Sequence, residues 1–371
     1  MLNYFSLYQP HYFTITKKIL FLILLSCLIF LSPNLVKSEV YLKKIGNDLE
    51  YPWGMDFLDE NIILVTQKTG KIIKINLKNE IFEEINGLPA IYFKGQGGLL
   101  DIIVKKNKSN NKIIYFCNTI EKNGKLGTVI HEGELVLNKN KIENLKLIFE
   151  SNHYSKSSKH FGCRLVLKKN MLYASLGDRG KRDTAQNKND DSGSIIEIDL
   201  NNSYSYQIYS LGHRNPQGLT INPFNNQIWS HEHGPRGGDE INIIKKDKNY
   251  GWPIITSGEE YFGGKIGEGS YSPKYESPLW TWIPSIAPSG MAFYNRNMFE
   301  NFKGHLLIGS LKFKSLYLVR IMDNLPISEE IIFQNKIGRI RDVDVGIDGS
   351  IYLLTDEKKG GLFRLYKKEL K

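Results

Sequence analysis

One pattern of strands recurs six times along this chain. Starting near Gly54, Gly98, Gly162, Gly218, Gly290 and Asp342, an apolar strand is followed by a polar break, a second apolar strand, a polar loop and a third strand. The segments GMDFLDENIILVTQKTGKIIKINL (54–77) and RDVDVGIDGSIYLLTDEKKGGLFRL (341–365) show it well. A strand-only repeat of this length cannot bury its apolar face alone. It must stack in an array, and four-stranded units favour a β-propeller. The reading is therefore all-β: a six-bladed propeller of four-stranded antiparallel blades, whose loops at one mouth form a natural ligand pocket.

The segments IILV (62–65), IIYFC (113–117), MLYASL (171–176), QIWSHE (227–232), HLLIGSL (305–311) and SIYLLTDE (350–357) are expected to be equivalent strands of six blades. Asp59-Glu60-Asn61, Asn225-Asn226 and Asp348-Gly349 read as the hairpin turns before them. EVYLKKI (39–45) is left over and is expected to pair with the last blade, which would close the ring and cover its free edges. No amphipathic helix of useful length is evident, and no linker divides the repeats, so residues 39–371 read as one domain. The Lys/Asn-rich stretches 105–112 and 181–191 read as surface loops.

Residues 1–38 read as a secretory signal peptide. Lys17 and Lys18 precede the apolar run ILFLILLSCLIFL (19–31), and Val36-Lys37-Ser38 resembles a small-residue cleavage site. The run is short for a membrane anchor, which needs about 20 residues. Cys27 lies inside the apolar run, which argues against lipidation. A periplasmic or secreted location follows. The formal charge of +10 falls to roughly +7 once Lys17, Lys18 and Lys37 are removed. The lysines are scattered, so nucleic acid is not the expected partner. Export permits a disulfide between Cys117 and Cys163, but two free buried thiols are the preferred expectation here.

Several loops carry residues suited to chemistry. Arg214 and Asn215 lie in YSLGHRNPQGL (209–219), where charge-assisted hydrogen bonds to an anion or carbonyl are available. Taken alone, Arg214 reads as a solvated turn arginine. Gly234-Pro235, in HEHGPRGGDEIN (231–242), is a rigid turn able to present carbonyl oxygens, and Asp239 and Glu240 follow. Oxygen donors of this kind suit calcium. His231 and His233 form a His-x-His pair with no third ligand in view, which argues against zinc. His160 opens one strand and Asp178 ends the next, so an antiparallel hairpin returns both to one rim. A histidine oriented by a carboxylate is a suitable general base. Arg339 and Arg341 share a face by strand alternation, and two such guanidinium groups repel unless an acid or anion bridges them. The bland reading is a solvated rim; together with Lys312 and Arg214 the pair suits a multiply carboxylated ligand. Gln96, between glycines in GQGGLLDI, adds an amide near the same rim. FGGKIGEG (262–269) lacks the strand-then-helix context of a phosphate loop and reads as a flexible loop.

Together, GHRNPQGL, HGP with DEIN and NYGWP, and RIRDV in this order resemble the soluble quinoprotein glucose dehydrogenase family, most closely its shorter aldose sugar dehydrogenases. The resemblance spans about Leu49 to Leu365. It implies a propeller that binds pyrroloquinoline quinone (PQQ) and calcium and oxidises aldose sugars at the anomeric carbon to lactones. It makes His160 the base and Asp178 its partner. It matches Gln96, Arg214, Asn215, Lys312, Arg339 and Arg341, with Tyr261 and Ala287, to PQQ-contacting positions. Gly234 and Pro235 match carbonyl donors to a PQQ-associated calcium, and Glu240 and Tyr250 match a second, structural calcium site. Arg214 is also expected to stabilise charge growing on the quinone oxygen. Cys163 departs from the family, which often has glycine there. The family requires an external electron acceptor, such as a cytochrome or a quinone. A calcium-dependent propeller lactonase would not need Lys312, Arg339 and Arg341 around one anion. A non-catalytic carbohydrate- or protein-binding propeller would not need His160 with that basic set.

Overall fold

The computed structural model describes residues 38–105 and 112–369. The expected signal segment lies almost wholly outside the described residues, as does most of the Lys/Asn stretch 105–112. Tyr41–Tyr366 forms one compact unit; the described ends Ser38–Val40 and Lys367–Glu369 group separately. After β1 (Ser38–Leu49), the strands fall into six sheets. The first holds β2 (Pro52–Phe57), β3 (Ile62–Gln67), β4 (Lys71–Asn76) and β5 (Ile81–Ile85). The second holds β6 (Leu99–Lys105), β7 (Lys112–Lys122), β8 (Lys125–Val136) and β9 (Lys141–Glu150). The third holds β10 (Gly162–Lys168), β11 (Met171–Leu176), β12 (Ser194–Asp199) and β13 (Tyr206–Leu211). The fourth holds β14 (Pro216–Ile221), β15 (Ile228–Glu232), β16 (Asp239–Ile244) and, beyond the short β17 (Lys248–Asn249), β18 (Trp280–Trp282). The fifth holds β19 (Pro288–Phe293), β20 (Leu306–Ser310), β21 (Ser315–Met322) and β22 (Leu325–Gln334). The sixth holds β23 (Ile340–Val345), β24 (Ile351–Thr355) and β25 (Gly360–Glu369).

Each sheet is an antiparallel meander, and the six segments expected to be equivalent are all second strands. The strand left over at the N-terminus completes the last blade, in the order β1-β25-β24-β23. This closure removes the open edge that a six-sheet array would otherwise present. The short β17 adds a fifth, parallel strand to the third sheet through Ser210 and Leu211.

The first strands line the centre. β2 meets β6, β6 meets β10, β10 meets β14, β14 meets β19, β19 meets β23, and β23 meets β2. Apolar clusters fill the spaces between neighbouring blades, for example Leu100, Tyr115, Ile130, Leu165 and Leu176 of the second and third, joined by Trp53 of the first. The central axis is polar instead. Arg164, buried on β10, pairs with Asp101 (3.2 Å) and Asp342 (2.8 Å). It also donates to the carbonyls of Gln217 (2.9 Å) and Arg341 (3.0 Å), and its guanidinium lies 4.2 Å from the Trp53 ring centre. Burial pushes the Asp101 and Asp342 carboxyls up, while Arg164 opposes that push.

Cys117 on β7 and Cys163 on β10 form a disulfide, with Cα atoms 6.1 Å apart. This corrects the expectation of free thiols. The two blades bring these second-strand and first-strand positions face to face, which sequence spacing does not reveal. The stretch 181–191 is also more than a solvated loop. Ala185 and Asp191 are buried, and Gln186 donates to the Trp252 carbonyl at 2.7 Å.

Candidate active site

At one mouth of the ring is a cavity of about 420 Å³. Gln96, Asn215, Ala287, Lys312, Arg339 and Arg341, six of the residues matched to PQQ-contacting positions, all line it. It is also lined by Trp53, Lys68, Phe161, Gln217 and Asp356, which the sequence reading did not single out, and by His233, which it weighed only as half of a His-x-His pair. Arg339 and Arg341, two apart at the start of β23, each place a guanidinium nitrogen 3.1 Å from the same Asp356 oxygen. The acid needed to bridge two neighbouring guanidiniums is therefore Asp356, at the end of β24. The pairing of Ile340 with Thr355 brings the two strand ends together. These cations hold the Asp356 carboxyl well below the usual carboxylate range, against the upward push of its burial.

The charge of the cavity is unbalanced. Among its described lining residues, Lys68, Lys312, Arg339 and Arg341 are cationic and only Asp356 is acidic. His233 is neutral there: burial lowers its imidazole to about 3. Arg341 is buried, donates to Gln217 Oε1 at 3.0 Å, and keeps a buried Nε with no hydrogen-bond partner. An unsatisfied donor of this kind is costly to bury unless a ligand completes it. The donor set fits a flat, polycarboxylated anion.

His160 stands at the edge of this cavity, one residue before Phe161. Its Nδ1 donates to Asp178 Oδ1 at 2.7 Å. An ionised carboxylate only accepts, so the neutral ring carries its proton on Nδ1 and presents the Nε2 lone pair. The hairpin argument holds: Gly162 on β10 pairs with Leu176 on β11, which returns both residues to one rim. Asp178 is fixed by further donors, Gly180 N (2.7 Å) and Trp252 Nε1 (2.8 Å). Burial pushes the Asp178 carboxyl up, but the hydrogen bond and charge of His160, the Gly180 N–H and the Arg214 charge bring it below its ordinary value. Burial lowers His160; the Asp178 hydrogen bond works against this, and the charge of Arg214 adds to it.

The backbone here is constrained. His160 has φ 53° and Ala287 φ 50°, left-handed conformations that non-glycine residues adopt where surroundings dictate it. For His160 the surroundings are identifiable. Its N–H donates to Gln96 Oε1 (2.7 Å), and Arg179 clasps the preceding loop through the carbonyls of Lys159 (3.1 Å) and Ser157 (2.5 Å) and ties it to the Leu126 carbonyl of β8 (3.1 Å). Arg179 also packs its guanidinium 3.6 Å from the Phe161 ring centre.

Arg214 is buried, not a solvated turn residue. Its Nη1 donates to the carbonyls of His233 (3.0 Å) and Gly234 (2.9 Å), and its Nη2 lies 3.3 Å from the exposed Tyr261 hydroxyl. The Gly234 turn is held by Asp239, whose Oδ1 accepts from Gly234 N (2.9 Å). Its Oδ2 accepts from Ser285 Oγ (2.6 Å), Ile286 N (2.8 Å) and Ala287 N (2.9 Å). Asp239 is thus spent on protein donors, joining the turn to Ala287. Pro235 is buried in the turn and lines neither cavity.

Beneath Arg214, a separate small cavity of about 10 Å³ is lined by Gly212, Glu232, Gly234, Glu240, Tyr250 and Thr256 among others. Glu232 is committed to His213 (2.8 Å), which in turn meets Ser210 Oγ at 2.9 Å. Among the described residues, Glu240 has only a 3.4 Å contact from Asn242. Burial, then the Glu232 charge, pushes its carboxyl well above the usual range. Two acidic side chains and main-chain carbonyls around a space of this size fit a hard cation. The Tyr250 hydroxyl is occupied, donating to the Ile243 carbonyl at 2.6 Å, so Tyr250 would serve a cation through its main chain. His231 is fully buried under Gly218 and does not join His233 in a site.

The residues that sequence reading missed carried little local signal. Lys68 and Asp356 follow the ends of second strands, and Arg179 and Trp252 act from loops more than seventy residues apart.

Comparisons with known proteins agree with this architecture. The model of the Glucose / Sorbosone dehydrogenase family matches residues 49–364. The aldose sugar dehydrogenase YliI of Escherichia coli is 36% identical over 93% of this chain and 96% of its own length. The crystal structure of the soluble aldose sugar dehydrogenase from Escherichia coli in the apo-form has a TM-score of 0.81 and 32% identity, covering 89% of this chain and 100% of that one. A PQQ-bound aldose sugar dehydrogenase from Streptomyces coelicolor shares the fold, with a TM-score of 0.74 at 21% identity over 90% of this chain and 99% of that one. With a family model matched across nearly all of the propeller and a relative of this identity aligned end to end, the chain belongs to the Glucose / Sorbosone dehydrogenase family.

Proposed function

We propose that this protein oxidises aldose sugars at the anomeric carbon, using PQQ held in the cationic cavity and His160 as general base. The observation that carries this reading is the juxtaposition of a carboxylate-oriented imidazole with an under-neutralised cluster of guanidinium and ammonium groups. The names of the relatives, and the PQQ bound by the Streptomyces coelicolor protein of the same fold, support it. A calcium-dependent propeller lactonase would not need such a cluster around one anion.

When bound, PQQ supplies the two-electron acceptor that takes the hydride leaving the anomeric carbon. Lys312, Arg339 and Arg341 would meet its carboxylates, and Gln96 and Asn215 would contact it from the neighbouring blades. His160 Nε2 would take the proton of the anomeric hydroxyl, leaving a lactone. Asp178 keeps Nδ1 protonated and stabilises the imidazolium as it forms. Arg214 holds a positive charge at the cavity edge, in a water-poor setting where such charge is most effective. Calcium at the Gly234-Pro235 turn would have to share the Gly234 carbonyl with Arg214, and a second ion would draw on Glu240 and the main chain of Tyr250. An external acceptor, a cytochrome or a quinone, would collect the electrons.

Export to the periplasm or beyond is part of this proposal. It is supported by the N-terminal segment and by the disulfide, which belongs to oxidising compartments. Intact-mass measurement of protein from the cell envelope checks it; a mass including residues 1–38 would contradict cleavage.

The deciding experiment is reconstitution of purified protein with PQQ and calcium, followed by single-turnover reduction with an aldose. The wild type should reduce bound PQQ, and His160→Ala should do so roughly 100- to 10,000-fold more slowly with the cofactor still bound. Reduction by the variant at the wild-type rate would remove His160 from the mechanism.

A further inference from the structure

Lys68 is a cation of the main cavity that no motif marks. It follows β3, and its main chain is pinned on both sides: Lys68 N donates to the Tyr51 carbonyl (3.0 Å), and its own carbonyl accepts from Leu99 N (3.1 Å). The side chain is only 12% exposed and lines the cavity with Arg339 and Arg341. Its Nζ lies 5.2 Å from the Tyr51 ring centre and 5.8 Å from that of Phe93.

The bland explanation is that Lys68 exists to neutralise Asp356. The distances oppose it. Asp356 Oδ2 already receives both arginines at 3.1 Å, whereas Lys68 Nζ stands 3.5 Å from Oδ1. That is well beyond the ~2.7–2.9 Å of a charge-assisted hydrogen bond, and Oδ1 has no hydrogen-bond partner. One carboxylate thus faces three cations, and the ammonium is the least satisfied of them. Burial lowers Lys68 below its usual range, Asp356 opposing and Arg341 assisting. A desolvated ammonium with open donors, facing a cavity of surplus positive charge, is completed by an incoming anion.

We propose that Lys68 is a direct anchor for a carboxylate of the bound cofactor, acting beside Lys312, Arg339 and Arg341. This rests on the PQQ reading above. In calcium, PQQ is titrated into apo wild type, Lys68→Met and Lys68→Arg, with binding followed by protein fluorescence. Lys68→Met should bind about 10- to 100-fold more weakly, as for loss of one charge-assisted contact. Lys68→Arg should stay close to wild type, and the melting temperatures of the apo proteins should agree. The trimethyl ester of PQQ, which lacks the anionic carboxylates, should bind wild type and Lys68→Met alike. Should Lys68→Met fail to fold, Lys68→Gln takes its place. Equal PQQ affinity in wild type and variant would overturn the role of Lys68 while leaving the PQQ reading intact. A penalty that persists with the ester would assign Lys68 to cavity shape and overturn it too. Failure of the wild type to bind PQQ would remove both.

Discussion

His160 is useful as a base because two opposed influences meet on it. Burial and the Arg214 charge lower its pKa, and Asp178 raises it through a hydrogen bond of 2.7 Å. The base form therefore persists to lower pH than for an ordinary histidine, whose pKa is near 6.5. Activity should fall only as acid protonates the ring through this lowered value. Asp178 also raises it through its negative charge, and replacing Asp178 with Asn removes that charge while leaving an amide oxygen able to accept from Nδ1. The acid limb of kcat/KM should move to lower pH, while the rate falls by less than in His160→Ala. A limb that moves to higher pH would contradict this placement of charges. The two cavity arginines should also differ. Arg341 is buried with an unpartnered Nε, whereas the side chain of Arg339 is 44% exposed. Arg341→Ala should weaken PQQ about 10- to 100-fold in an equilibrium titration. Arg339→Ala, screened by water, should cost less than about fivefold.

At the scale of the element, the β7–β10 crosslink joins two blades directly behind the loop that carries His160. Cys117 and Cys163 are 46 residues apart, and closing a loop of that length restricts the unfolded chain by about 4 kcal/mol in the chain-entropy treatment. Cys117→Ser with Cys163→Ser should lower the melting temperature by several degrees, and reductant should do the same to the wild type but not to the double variant. Coincident melting curves for all three would show that the bond contributes nothing. This bond also marks where sequence legibility ended. The strands were legible because apolar runs alternate with Asn, Asp and Gly turns, and a hairpin such as β10–β11 fixes its own register, so His160 and Asp178 could be placed on one rim. Contacts between blades have no such local rule. The disulfide, the Trp252 bond to Asp178 and the Arg179 clasp depend on how separate sheets or loops converge. Gly234-Pro235 was legible as a turn, but the knot made by Asp239 was not.

Across the whole molecule, the ring is closed twice: at its rim by β1 pairing with β25, and on its axis by Arg164. The axial closure ties the second, third, fourth and sixth blades through Asp101, Gln217 and the Asp342–Arg341 segment. Asp342 also accepts from Met55 N of the first blade at 3.0 Å. A buried triad of this kind gives weak net stabilisation while intact, yet removing one partner leaves uncompensated charge. Arg164→Met should leave two buried carboxylates facing each other and destabilise the fold by roughly 3–5 kcal/mol at neutral pH. The pH dependence follows from the direction of the shifts. Asp101 and Asp342 are already pushed up by burial, and losing Arg164 removes the main influence that lowers them. A carboxyl whose folded pKa is raised takes up a proton as pH falls, and the folded state gains on the unfolded one as it does so. The deficit of Arg164→Met should therefore shrink on acidification from pH 8 to pH 5. Thermal unfolding of variant and wild type at both values measures it, and a deficit that stays constant or grows would show that the carboxylates are not the source of the loss.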